Sequence, residues 1–270
     1  MPEAPPSVRV GCCGWSYREW VGPFYRSGEK MFAQYARSFD VVEMDSSFYR
    51  VPDVKVMLGL ARAAPQGFLF TIKVPKVVTH EEFVKDTERA RETLQQYFVS
   101  LEPLKVAHKL ALALVQLPPK FAFEDREDLE RLLGTFKDKG VKTATEFRHP
   151  SWLAEENVSE SLRVLRENSS SYTVVDEPLL PPVVHRTASP TYVRLHGRNP
   201  DHWYDYNYSG NELREWADKV SGMVKEGDEV ILVFNNHPHG NAPNNAMKML
   251  DLLGLQYKNR FEEGTNSSTR

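Results

Sequence analysis

The run VVEMDSSFYRVPDVKVMLGLARAAPQGFLFTIKV, residues 41–74, reads as strand, helix, strand. Val41–Asp45 is a short β-branched run. Asp53 stands where a helix N-cap belongs, ahead of Met57, Leu60, Ala61 and Ala64, which share one helical face. Phe68–Val74 is a further apolar strand. Period two and period 3.6 therefore alternate within one short segment, and the same alternation extends in both directions along the chain.

Upstream, Val8–Gly14 is a strand, followed by Phe32, Tyr35, Ala36 and Phe39 on one helical face. Downstream come a helix with Ala90, Leu94, Tyr97, Phe98 and Leu101, and the strand Leu110–Gln116. Leu129, Leu132, Leu133 and Phe136 mark the next helix, then strand Thr143–Phe147 and the helix of Val158, Leu162 and Leu165. Ser171–Asp176 is a sixth strand, but Pro178, Pro181, Pro182 and Pro190 forbid a helix after it, so an irregular crossover is expected over 177–190. Thr191–Leu195, a helix opened by the Ser209/Glu212 capping box, Glu229–Phe234 and a last helix stopping at Gly254 complete the series. Eight strands with about seven helices in roughly 250 residues predict a single α/β domain, a closed (β/α)8 TIM-like barrel over residues 1–257, with a polar, disordered tail at 258–270. A doubly wound open sheet is the alternative, but the run from Gly11 to Gly14 lacks dinucleotide-loop spacing.

The chain is 41% hydrophobic and 26% charged, ordinary globular usage that excludes disordered and fibrous classes. Its 34 basic and 37 acidic side chains, a formal charge of -3, argue against a general grip on duplex phosphates. The two cysteines, Cys12 and Cys13, are adjacent, so neither a disulfide framework nor a paired-thiol zinc pattern is present. No run approaches the roughly 18 apolar residues of a membrane span, and the expectation is a cytoplasmic protein without membrane contact.

Parity along the strands locates candidate chemistry. Alternate residues of a barrel strand face the lumen. Val42 and Met44 oppose Glu43 and Asp45; Phe70, Ile72 and Val74 oppose Lys73; Phe147 opposes Glu146 and Arg148; Val193 and Leu195 oppose Arg194 and His196. Gln116 and Asp176 end the fourth and sixth strands with the same switch to polar character. These groups fall at C-terminal strand ends, where barrel enzymes place their chemistry. Glu43, Lys73, Glu146, Asp176, Arg194 and His196 are therefore expected in one pocket. The structural alternative is an ion-pair network plugging the barrel, at a desolvation cost that apolar residues would avoid.

Other features carry alternatives. His237 and His239 have the look of a metal pair, although exposed loop histidines are commoner. The aromatic loop from Arg198 to Tyr208, with Trp203, Tyr204 and Tyr206, could stack a ring or pack over the rim. Asn235 and Asn236 could orient a ligand or tie the loop backbone. Cys12 and Cys13 are expected to be buried filler.

At these same strand ends the chain resembles a known family. The runs are Gly11 with Gly14-Trp15-Ser16-Tyr17, Glu43 with Ser46-Ser47-Phe48-Tyr49, Lys73-Val74-Pro75 with Thr79-His80, and Gln116-Leu117-Pro118. They continue with Glu146-Phe147-Arg148-His149-Pro150-Ser151-Trp152, Arg194-Leu195-His196-Gly197, Phe234-Asn235-Asn236, and Ala242-Pro243 with Asn245-Ala246. Together they resemble the YecE-like family of domains of unknown function, number seventy-two. The resemblance implies a TIM-barrel-like fold and no particular activity. This chain departs from the family pattern at Cys12 and Cys13, where small hydroxyl residues are usual, and at Asp45, where asparagine is common.

The leading expectation is an enzyme acting by carboxylate acid–base chemistry on a small anionic or polar substrate, with no organic cofactor. Glu43 and Glu146 would be the catalytic acid and base, oriented by Asp176 and His196; Lys73 would hold an anionic group together with Arg148 and Arg194, with a second possible catalytic role as a Schiff-base nucleophile. Arg148, Arg194, His196, Gln116, Asn235, Asn236, Trp15, Tyr49 and His80 would bind substrate. A metal-dependent hydrolase or endonuclease on nucleic acid is the alternative, using Glu43, Glu146, Asp176 and His196 around a divalent ion, which interleaved cations disfavour. A barrel that binds a ligand or nucleic acid without turnover is the non-enzyme alternative.

Overall fold

The computed structural model describes residues 7–82 and 87–255, so the tail expected at 258–270 lies outside the described residues. Eight parallel strands close into a barrel in chain order: β1 (Val8–Cys13), β2 (Val41–Met44), β3 (Leu69–Lys73), β4 (Leu110–Gln116), β5 (Thr143–Glu146), β6 (Ser170–Asp176), β7 (Thr191–Leu195) and β8 (Val230–Phe234). Among the described residues seven α-helices surround them: α1 (Met31–Ser38), α2 (Val54–Ala63), α3 (Glu88–Val106), α4 (Arg126–Asp138), α5 (Val158–Glu167), α6 (Gly210–Lys225) and α7 (Asn241–Leu252). The expected barrel is observed, with no helix between β6 and β7. The caps are also where the sequence places them. The Asp53 side chain accepts from Lys55 N, and Ser209 and Glu212 form the capping box of α6. Among the described residues no helix is long and apolar enough to cross a membrane.

Closure joins β1 to β8 along five paired positions, from Val8 opposite Val230 to Cys12 opposite Phe234. On the other side β1 meets β2 only at Cys12–Val42 and Cys13–Glu43. The Tyr35 hydroxyl bridges the gap below, accepting from Cys12 N at 2.7 Å and donating to Val41 O at 2.8 Å. Gly11 is required there, because a Cβ would lie 2.1 Å from Val41 O.

The alternating pattern sorts side chains into two cores. The larger lies between sheet and helices and includes Val42, Phe70, Ile72, Val174, Val193 and Leu232. The smaller fills the lumen with Val41, Leu112, Leu114, Ala144, Tyr192, Ile231, Val233 and Cys13. This apolar floor blocks the barrel axis and leaves the next inward positions, at the C-terminal strand ends, to form a mouth. β5 ends one residue earlier than the pattern suggests, at Glu146, and Phe147 faces outward as its parity predicts, stacking on Trp152 with ring centroids 4.6 Å apart.

Candidate functional site

Two arginines and two glutamates form the centre of the mouth. Glu43 on β2 and Arg194 on β7 meet across the lumen: Arg194 Nη2 donates to Glu43 Oε1 at 2.6 Å and Nε to Oε2 at 2.9 Å. The same guanidinium donates through Nη1 to Glu146 Oε2. Arg148 donates through Nε to Glu146 Oε1 at 2.6 Å and through Nη1 to Glu177. Gln116 adds a bond to Glu146 Oε1 at 2.7 Å, and the Tyr192 hydroxyl one to Glu43 at 2.5 Å. Glu43 and Glu146 are fully buried, Arg194 is 1% exposed and Arg148 8%. Every nitrogen of both guanidiniums already has a partner, so this is a rigid, charge-matched frame.

His196 is locked into it. Its Nε2 lies 3.2 Å from Arg148 Nη2 and 3.3 Å from Arg194 Nη1. Arginine nitrogens only donate, so Nε2 accepts and the ring proton sits on Nδ1, which meets the Asn235 amide at 2.9 Å. That amide must therefore present its oxygen to the ring. Burial, then the charge of Arg194, pushes the imidazole down to about 3, so His196 is neutral at physiological pH.

The frame divides the carboxyls into two kinds. Burial alone would raise Glu43, but Arg194, Tyr192 and Lys73 bring it below the ordinary carboxylate range. Burial is likewise outweighed at Glu146, which Arg148, Arg194 and His196 hold well below it. Asp45 is raised to about 7, by burial and then by the charge of Glu43. Glu177 is also raised to about 7, by burial, with Arg148 opposing and Glu146 reinforcing the rise. Asp45 Oδ1 and Glu177 Oε1 are buried oxygens without a hydrogen-bond partner. Asp45 Oδ1 stands 3.8 Å from both Lys73 Nζ and Arg194 Nη2.

Asp176 does not join the pocket. It faces outward with Val174, accepting from Trp216 Nε1 at 2.7 Å and from Arg198 Nε at 3.0 Å, and Arg198 continues to Glu212. Glu177, the next residue, takes the inward place. The β6 run SSYTVVD does not alternate polar with apolar residues, so its polar end carried no parity signal; the inward Thr173 and Val175 point to Glu177. Trp15 also lies elsewhere: past Gly14 (φ 78°) its ring packs on Phe32 of α1, centroids 5.4 Å apart. Asn236 ties loops together, donating to Tyr206 O at 2.7 Å and to Asn245 Oδ1 at 2.8 Å. Tyr49 is 75% exposed and touches Phe48 at the rim. His80, on a π-helical turn Val77–Glu81, borders the mouth beside Phe48, ring centroids 4.9 Å apart.

The aromatic loop folds over this assembly. Arg148 lies 5.4 Å from the Trp203 ring and His196 5.6 Å from that of Tyr204. Of the two loop histidines, His237 faces Glu19 at 3.2 Å and His239 faces Asp205 at 3.6 Å, so they do not converge as a metal pair. Two other groups do bring ligand atoms within 4.8 Å of one another: Cys13, Glu43 and Asp45, and Glu146, Glu177 and His196. By distance either could hold a metal ion. Their Glu43, Glu146 and His196 atoms already accept from guanidiniums, so an ion would have to displace an arginine. Cys12 and Cys13 are fully buried; burial, and then Glu43, raises the Cys13 thiol well above its ordinary value.

A family model described as a protein of unknown function, DUF72, matches residues 9–269. The UPF0759 protein YunF of Bacillus subtilis is 28% identical over 271 residues, covering 93% of this chain and 96% of the relative. A solved DUF72 family protein from Thermotoga maritima is 30% identical, with a TM-score of 0.79 over 92% of this chain and 99% of that one. A xylose isomerase domain-containing protein from Salmonella typhimurium, 13% identical, shares the barrel fold with a TM-score of 0.57 over 94% of this chain and 100% of that one.

Proposed function

The chain belongs to the DUF72 family of proteins of unknown function, and from that premise we propose that the barrel mouth is the active site of an enzyme that transfers protons to and from a small anionic or polar substrate. One observation carries the reading. Buried polar atoms without a partner occur elsewhere among the described residues too, but Asp45 and Glu177 alone combine such an oxygen with a carboxyl raised to about 7, and both flank the paired arginine–glutamate frame. An unmet buried acceptor costs about 1–3 kcal/mol. Catalytic sites accept such costs, and they favour groups whose pKa values lie near the working pH.

The roles differ from those expected of the sequence. Glu43 and Glu146 stay ionised between their arginines and hold the frame, so neither exchanges protons near neutrality. Asp45 and Glu177 flank that frame, and either can accept a proton as carboxylate or donate one as acid. Neutral His196 orients Arg148 and Arg194, and Gln116 fixes Glu146. Trp203 and Tyr204 cover the site and limit water.

The reading is tested by incubating the protein with phosphorylated and carboxylated small sugars and hydroxy acids in deuterium oxide. Nuclear magnetic resonance then detects net conversion or deuterium uptake. We expect one substrate to turn over, with the rate falling about 100-fold or more in Asp45→Asn or Glu177→Gln. Equal turnover in both variants and wild type would reject the proposed roles.

A further inference from the structure

We propose that the mouth contains an oxyanion subsite built from Lys73 and His80, and that the buried arginines take no part in it. The inference rests on the mouth being the substrate site, and it names where the substrate's anionic group docks.

Both arginines are used up. Lys73 is not. Its side chain is 12% exposed, and its nearest carboxylate, Asp45, stays 3.8 Å away, beyond hydrogen-bond reach. Its ammonium hangs over the Phe48 ring, 4.3 Å from the centroid. Among the described residues it has no hydrogen-bond acceptor, so the protein itself satisfies none of the three N–H donors of this largely enclosed cation. Such a group costs free energy until an acceptor arrives.

His80 supplies a second donor on the same ring. Its imidazole packs at right angles to the Phe48 ring, centroids 4.9 Å apart, and its Nδ1 lies 2.8 Å from the Thr79 hydroxyl. That hydroxyl is 3.5 Å from Pro75 O, so the short bond to the ring is the better use of its proton. The ring proton then sits on Nε2, with no partner among the described residues. The surroundings are cationic: burial, then Lys73, Arg148 and Lys120, push His80 down to about 4. A neutral N–H donor beside a bare ammonium suits one oxyanion, a phosphate or a carboxylate.

Asp45 competes for the same cation. It is faced by Cys13, Tyr17, Glu43, Lys73, Arg194 and Tyr204. As it ionises near pH 7 its charge repels an incoming anion, and Glu177, ionising over the same range beside Arg148, acts in the same direction. His80, already neutral, does not titrate in that window. Anion affinity therefore falls as pH rises.

The test is calorimetric titration of the full chain with sulfate, whose charge is constant over this range, and separately with acetate. Wild type should bind at least one of them, sulfate marking a phosphate subsite and acetate a carboxylate subsite. Lys73→Met, close in volume, should weaken binding about tenfold or more, while Lys73→Arg should retain it. Sulfate affinity should drop between about pH 6 and about pH 8, and Asp45→Asn should flatten that drop. Absence of binding to wild type, or equal binding by Lys73→Met, would overturn the subsite. Binding at Lys73 without turnover of any substrate would leave the subsite standing and remove the catalytic reading. Turnover sensitive to Asp45, with anion binding indifferent to Lys73, would do the reverse.

Discussion

At the scale of single residues, the mouth holds carboxyls displaced in opposite directions, and their effects on stability have opposite signs. Glu43 and Glu146 lie below the ordinary carboxylate range, so the stability they contribute is present above it and lost as pH falls through their folded values. Asp45 and Glu177 lie above it. Their contribution is complete below the unfolded value and is lost as pH rises toward about 7, because the unfolded chain releases protons that the folded chain keeps. Removing the ionisable group should therefore stabilise most at high pH. We predict that Asp45→Asn and Glu177→Gln raise the melting temperature relative to wild type at about pH 8, by more than at about pH 5. A pH-independent difference in both variants would show that neither carboxyl is displaced. Stability gained together with lost turnover is the trade-off expected where a site carries unmet polar groups.

Parity identified Glu43, Lys73, Glu146, Arg194 and His196 because the strands carrying them alternate cleanly with apolar residues. The same rule missed Glu177 in favour of Asp176, since the run from Ser170 to Asp176 does not alternate polar with apolar residues and so sets no parity for its end. Distinguishing fixed from titratable carboxyls was out of reach, because that depends on which side each guanidinium approaches.

At the scale of elements, strands, helices and caps were legible in the sequence because each combines a period with a stop signal. The loop between β7 and α6 was not. Its position depends on Gly197, at φ 114°, where a Cβ would lie 2.2 Å from Trp203 O, and on contacts distant in sequence. Asp176 anchors the base of that loop, accepting from Arg198 and from Trp216 of α6. Asp176→Ala would leave the Trp216 indole N–H unpaired and Arg198 with Glu212 as its remaining carboxylate. We expect a loss of about 1–3 kcal/mol in urea unfolding, with the loop loosened over the mouth. No change in stability would mean that water replaces the carboxylate at no cost.

At the scale of the whole molecule, the barrel explains why charge can be concentrated here. The apolar floor of Val41, Leu112, Leu114, Ile231 and Val233 closes the lumen below, and the aromatic loop closes it above. Between them lies the arginine–glutamate frame, a fixed set of ions and dipoles of the kind preorganised electrostatic sites use. The central claim is that a saturated arginine–glutamate frame leaves two carboxyls, Asp45 and Glu177, able to exchange protons near neutrality. The direct measurement is a pH titration of side-chain carboxyl carbons by 13C nuclear magnetic resonance, assigned with Asp45→Asn and Glu177→Gln. The account predicts two carboxyls with midpoints near 7, one lost in each variant, while Glu43 and Glu146 remain ionised throughout. Titration of Asp45 and Glu177 in the ordinary carboxylate range, about pH 4, would contradict it.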